Sequence, residues 1–223
     1  MNKTRDNLKN YSGKLSLFLV LNSLAFIVFA LQINLPISEI NVLYNEYYAN
    51  SGLVLVSSFL IVFVLNGVLS SDLKAKLVFW RTTYVYPGFR VFTELSSKDS
   101  RIDKAELERK YGILPTIPKN QNQLWYKMYK KFEFHPMIFA SHRNFLLSRD
   151  LTGFSFLFVL TYPIAVVVSA VIFKELYSSL FWYLGYLVAQ YMVCALVSRN
   201  YGNRFACNVL AQASSTENNK VSE

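Results

Sequence analysis

Four long stretches of the chain contain no Asp, Glu, Lys or Arg: between Lys14 and Glu39, between Glu46 and Asp72, between Asp150 and Lys174, and between Glu175 and Arg199. Within them lie the mainly apolar segments 15–33, 53–71, 151–173 and 180–198. Each runs roughly 19–23 residues, and at about 1.5 Å rise per residue a helix of that length crosses a hydrocarbon core of ~30 Å. A soluble protein holds one such helix in a large core, but four in 223 residues leave nothing to cover them. The pattern predicts an all-α membrane protein with four transmembrane helices in two hairpins. For the first segment a signal peptide is the alternative, with Val28-Phe29-Ala30 as a small-residue cleavage site. The apolar run exceeds the usual ~7–15 residues of such a signal, which favours an uncleaved anchor.

Between the hairpins the pattern changes, and local helix signals become readable. Asp103 followed by Glu106 makes a capping pair before KAELERKY, and Gly112 with Pro115 stops that helix. Asn120 with Gln123 predicts the start of a second helix, QNQLWYKMYKKFEF. Pro136 suits a first helical turn, and MIFASHRNFLLSRD after it is expected to run on into the third span. The predicted organisation is a cytoplasmic N-tail (1–14), a first hairpin (15–71), a basic, mainly helical cytoplasmic insert (72–150), a second hairpin (151–198) and a cytoplasmic C-tail (199–223) with a disordered end.

Composition agrees with this class: 53% of residues are hydrophobic, 16% aromatic and only 17% charged, below the quarter or so usual in soluble domains. Charge then sets orientation. Of the 23 Lys and Arg residues, four precede Leu15, fifteen lie in 72–150 and three follow position 198. One, Lys174, falls in a short turn, and the loop 34–52 has none. Basic residues are retained on the cytoplasmic side, so both termini and the insert are expected there, in a multi-pass protein of the cell inner membrane.

The stretch KAKLVFWRTTYVYPGFRVF, residues 74–92, follows the second span and interleaves cations with aromatic rings. Read as a helix continuing to about Arg81, it places Leu73, Leu77, Trp80 and Tyr84 on one face. Lys74, Lys76, Trp80, Arg81 and Arg90 then suit contact with anionic lipid headgroups at the membrane surface. Three alternatives stay open: an extended TTYVY segment before the Pro87-Gly88 turn, packing of the insert onto itself, and recognition of a nucleotide, nucleic acid or protein partner. The stretch itself carries no Asn or Gln to read a base edge. His142, Arg143 and Arg149, with Asp150, form a second polar group before the third span, suited to lipid phosphate or to snorkelling at a helix end.

Inside the predicted membrane segments the informative side chains are polar and uncharged. Asn22 and Asn66 both fall in the cytoplasmic half of the first hairpin, where an interhelical hydrogen bond contributes about 0.6–2 kcal/mol. Gln190 lies near the middle of the fourth span, and Tyr162-Pro163 near the centre of the third, where proline removes a backbone donor. Helix packing and a hydrated path after homo-oligomerisation are the two readings. Catalytic patterns are scarce. The two histidines, His135 and His142, belong to no HExxH; Cys194 and Cys207 form no CxxC; no P-loop, GxGxxG or GxSxG occurs. No catalytic residue, metal or cofactor is expected, and the protein is not expected to be an enzyme.

This layout, two hairpins of charge-free apolar runs around the basic insert 72–150 in a short, basic chain, resembles the small membrane effectors of bacterial anti-phage (abortive-infection) systems, such as those paired with retron reverse transcriptases. The resemblance implies an effector kept silent by a cytoplasmic regulatory protein or nucleoprotein and released to perturb or permeabilise the inner membrane. A channel or transport accessory subunit is the alternative, followed by a lipid-modifying membrane enzyme.

Overall fold

A computed structural model of the protein describes residues 11–30, 64, 67–173 and 179–216. Asn66, most of the expected second span and the expected disordered end beyond 216 lie outside them. Among the described residues every regular element is helical: α1 (Ser12–Ala30), α2 (Ser71–Phe79), α3 (Lys104–Tyr111), α4 (Pro118–Phe132), α5 (Pro136–Phe173) and α6 (Ser179–Ser215). Short 3-10 turns at Pro87–Arg90 and Ser96–Lys98 flank a π turn at Val91–Leu95. Two helices, within α5 and α6, are long and apolar enough to cross a membrane.

The helix ends follow from local chemistry. Ser70 Oγ accepts from Leu73 N at 3.2 Å and opens α2, with Asp72 in its first turn. Asp103 Oδ1 accepts from Glu106 N at 3.0 Å and opens α3; Gly112, at φ 81°, closes it with its N–H on Glu108 O. α4 begins at Pro118, with Ile117 as its N-cap, so Asn120 lies inside the first turn and is not the cap. The proline's fixed φ is already helical, and its missing N–H is one the first turn does not use. Pro136 opens α5, which runs without a break through the start of the expected third span.

The basic-aromatic stretch departs from expectation. α2 ends at Phe79, and Trp80 and Tyr84 adopt positive φ of 52° and 48°. Neither residue continues the helical face of Leu73 and Leu77, and residues 82–86 are not a strand.

The chain divides into two compact units. The first comprises Met1–Leu8, Ala75–Arg149 and Ala195–Glu223; the second comprises Lys9–Lys74 and Asp150–Cys194. In the first unit, Val78, Phe79, Val91, Phe92, Leu107, Met128, Ile138 and Phe145 form a core with Phe205, Val209 and Leu210 of α6. Residues 199–215, expected as a tail, are therefore helix and core. Their apolar positions Phe205, Ala206, Val209, Leu210 and Ala213 recur at helical spacing, and burying them stabilises the unit.

The second unit reverses the usual partition. Its surface carries Leu17, Leu21, Leu160, Ile164, Phe181, Trp182 and Val193, with Trp182 76% exposed and Phe181 65%. Its interior holds Ser16, Asn22, Lys74, Asp150, Thr152 and Ser155, all buried.

Candidate functional site

The polar interior of the second unit is organised around Asp150. Its Oδ2 accepts a 2.7 Å hydrogen bond from Tyr11 Oη, and its Oδ1 lies 3.3 Å from Lys74 Nζ. Lys74 is 3% exposed and Asp150 2%. Sequence positions that bound three different apolar runs thus meet in one charged network. Gly153, one turn along α5, lets the helix approach: a Cβ there would lie 3.2 Å from Leu69 Cδ1 and 3.4 Å from Lys74 Cγ. Two opposite charges withdrawn from water persist only when their remaining hydrogen-bonding capacity is met, and Tyr11 meets part of it.

Beyond the ion pair the interior stays polar. Ser155 Oγ donates to Leu151 O at 2.9 Å and lies 3.5 Å from Cys194 Sγ. Asn22 Nδ2 donates to Phe18 O at 2.9 Å, while Tyr183 Oη donates to Asn22 O at 3.3 Å. Among the described residues, Asn22 Oδ1, Gln190 Oε1 and Ser16 Oγ are buried without a hydrogen-bond partner. The expected pairing of Asn22 with Asn66 lies outside the described residues.

In the first unit, the stretch after α2 builds an arginine cluster. Glu94 Oε2 lies 3.5 Å from Arg81 Nη2 and 3.3 Å from Arg90 Nε. Arg90 also donates to Val85 O at 3.3 Å and Asn203 Oδ1 at 3.4 Å, and stands over the Phe79 ring at 5.4 Å. Burial holds its pKa below the ordinary arginine value, and Arg81 and Arg199 push the same way against Glu94. Arg199 of α6 donates twice to Val78 O, at 3.3 and 3.2 Å, and lies 4.1 Å above the Trp80 ring. A cation thus caps the last turn of α2, where the helix dipole favours positive charge. Three guanidinium groups around one carboxylate leave this cluster positive.

Residues expected to act together are distributed between the units. Lys74 belongs to the second unit and, expected to contact headgroups or a partner, is instead buried against Asp150, whose carboxylate draws it inward. Arg90 and Arg149 are also buried, so neither offers an open surface to headgroups. Trp80 and Arg81 are exposed, Lys76 is half-buried and Arg143 is exposed. His142 stacks on Phe205 (4.7 Å, 4°), and its Nδ1 lies 3.1 Å from Tyr129 Oη. It belongs to an aromatic cluster and does not act with Arg143. Asn22 and Gln190 both lie in the second unit.

Sequence reading missed Tyr11, Arg199, Glu94 and Gln121 as partners. Gln121 is 1% exposed; its Oε1 accepts from Phe92 N at 3.0 Å and its Nε2 donates to Thr116 O at 2.8 Å. One signal was present for the ion pair: Lys74 and Asp150 are opposite charges beside the second and third apolar runs.

Fold and site together define an all-helical protein with two helices able to cross a membrane and a buried charged network among its described residues. No family model, curated protein or solved structure matches the chain.

Proposed function

We propose that the chain is a multi-pass inner-membrane effector that perturbs or permeabilises the membrane in anti-phage defence when a cytoplasmic partner releases it. In this reading four spans form two hairpins, with both termini and residues 72–150 in the cytoplasm. The chain works as a homo-oligomer in contact with anionic lipid. The observation that carries the membrane reading is the reversed partition of the second unit, with Trp182, Phe181 and Ile164 outside and Asp150, Lys74 and Asn22 inside. Water penalises such an arrangement, and a hydrocarbon surround favours it. The defence role comes from the resemblance in layout.

The test is induced expression in a bacterial host, read with a membrane-potential dye and a propidium-type dye. Depolarisation with arrested growth is expected. Unchanged growth and unchanged signals from both dyes, with the protein in the membrane fraction, would sink the effector reading. That outcome favours the second reading, a channel or transport accessory subunit. The buried acceptors Asn22 Oδ1 and Gln190 Oε1, which lack partners among the described residues, support it as groups for water or a cation.

A further inference from the structure

The first unit contains a cavity of about 190 Å³, and half of the residues lining it are aromatic: Tyr86, Trp125, Tyr126, Phe145 and Phe205. A dry cavity of roughly 150 Å³ is known to hold one benzene ring, so this volume suits a planar ring system somewhat larger than that. None of the lining residues is Leu, Ile, Val or Met, the side chains that would line a site for an acyl chain. The rings are fixed in place. Trp125 Nε1 donates to Ala206 O at 3.2 Å, its indole stacks on Tyr129 at 5.8 Å, and its edge meets Phe205 at 5.5 Å. Two glycines keep the walls close. A Cβ at Gly88 would overlap Asn122 Oδ1, and one at Gly202 would lie 2.7 Å from Phe79 Cζ and 3.0 Å from Phe145 Cε2.

One lining side chain carries a readable polar edge. Asn122, on α4, presents an amide that makes no side-chain hydrogen bond among the described residues. It supplies the donor-acceptor pair that the basic-aromatic stretch lacks. An Asn amide matches adenine in particular, donating to N7 and accepting from the N6 amino group; guanine offers two acceptors at the same edge. The surroundings suit an attached phosphate. Lys130 Nζ, paired with Glu133 Oε2 at 2.8 Å, lies 5.9 Å from the Tyr126 ring centre, and the excess charge is regional: residues 75–149 and 195–216 hold sixteen Lys and Arg against six Asp and Glu.

From these observations we infer that the cavity binds an adenine base, stacked on Tyr126 and read by Asn122, with Trp125, whose ring faces meet Tyr129 and Gly88, forming the wall beside it and the phosphate toward the basic surface. The source is a free mononucleotide or an adenine at the end of a single strand. The cavity is independent of the membrane reading, and the test of its ligand has no membrane readout.

The full chain in detergent is titrated calorimetrically with AMP, with GMP, and with a short adenine oligonucleotide. AMP is expected to bind more tightly than GMP. Asn122→Leu should weaken AMP roughly tenfold by removing the bidentate pair. Tyr126→Ala should do the same by removing a stacking surface. Tyr126 is 50% exposed and Asn122 half-buried, so both variants are expected to keep the wild-type helical signal, checked by circular dichroism. The oligonucleotide binding more tightly than AMP assigns the source to a strand; equal or weaker binding assigns it to the free nucleotide. No heat from AMP at millimolar concentration overturns the proposal. So does equal binding of AMP and GMP, or affinity unchanged in both folded variants, since either outcome means attraction to the basic surface alone.

Discussion

Lys74 and Asp150 stand 76 positions apart, and their meeting at 3.3 Å places a full ion pair where almost no water reaches. Removing one partner leaves the other charge buried alone, which costs about 3–5 kcal/mol, whereas removing both with apolar replacements restores much of the loss. Asp150→Asn and Lys74→Met are therefore each expected to lower the unfolding midpoint in detergent, and Lys74→Met with Asp150→Leu to recover most of it. A double variant as unstable as the worse single one would mean that the pair does not act as a unit. Tyr11→Phe removes only the 2.7 Å bond to Asp150 Oδ2 and should cost less, about 1.5–3 kcal/mol for a hydrogen bond to a charged group. The carboxylate of Glu106 behaves differently because it lies at the surface. Side-chain hydrogen bonds from Arg109 and then Lys110 pull its pKa down from 4.5 to about 2. Its ionised form is thus favoured in the folded chain, so the contribution is present above pH 4.5 and is lost as pH falls from there toward 2. Replacing it as Glu106→Gln should remove that acid-side dependence from the melting curve, and an unchanged curve between those pH values would contradict the assignment.

At the scale of elements, the π turn at Val91–Leu95 depends on α4. Gln121 accepts from Phe92 N at 3.0 Å and sits within reach of Thr93 N at 3.4 Å, so it serves backbone groups that the irregular turn leaves open. Gln121→Leu strips a buried N–H of its acceptor and is expected to destabilise the first unit by about 1–3 kcal/mol, read by denaturant unfolding. A loss below ~0.5 kcal/mol would mean that the turn finds another acceptor. Elements were legible in the sequence where the signal was local. Asp103 with Glu106, Gly112 and Pro136 each act within one helical turn, and each marks a helix end as expected. Asn120 misled because two start signals sat side by side and Pro118 prevailed. The end of α2 at Phe79 was not legible because Arg199, 121 residues from Val78, supplies its cap. The same holds for the aromatic cavity, whose walls come from the turn at Pro87–Arg90, from α4, α5 and α6, and whose polar reader Asn122 gives no signal among its neighbours.

For the whole molecule, two facts of different kind favour the same environment. Charge-free runs recur four times in the sequence, and in the second unit large apolar side chains such as Trp182 and Phe181 point outward while Asp150 and Lys74 lie inside. The first fact uses only composition, the second only packing, so their agreement is not built in. Orientation rests on a third quantity. In the proposed topology only Lys174 of the 23 basic residues falls on the side opposite the insert, and the reverse orientation would require a strongly cationic segment to cross the bilayer. The expected topology has Ser38 and Ser178 outside, with Ser97 in the cytoplasm. Single variants Ser38→Cys, Ser178→Cys and Ser97→Cys are labelled in intact cells, with the outer membrane permeabilised, using a maleimide that does not cross the inner membrane. Cys207 is buried and Cys194 half-buried, so background from native thiols should be low. Labelling at 38 and 178, with position 97 modified only after lysis, is the expected pattern. Labelling at 97 in intact cells would reverse the orientation and remove the basic segment from reach of any cytoplasmic partner.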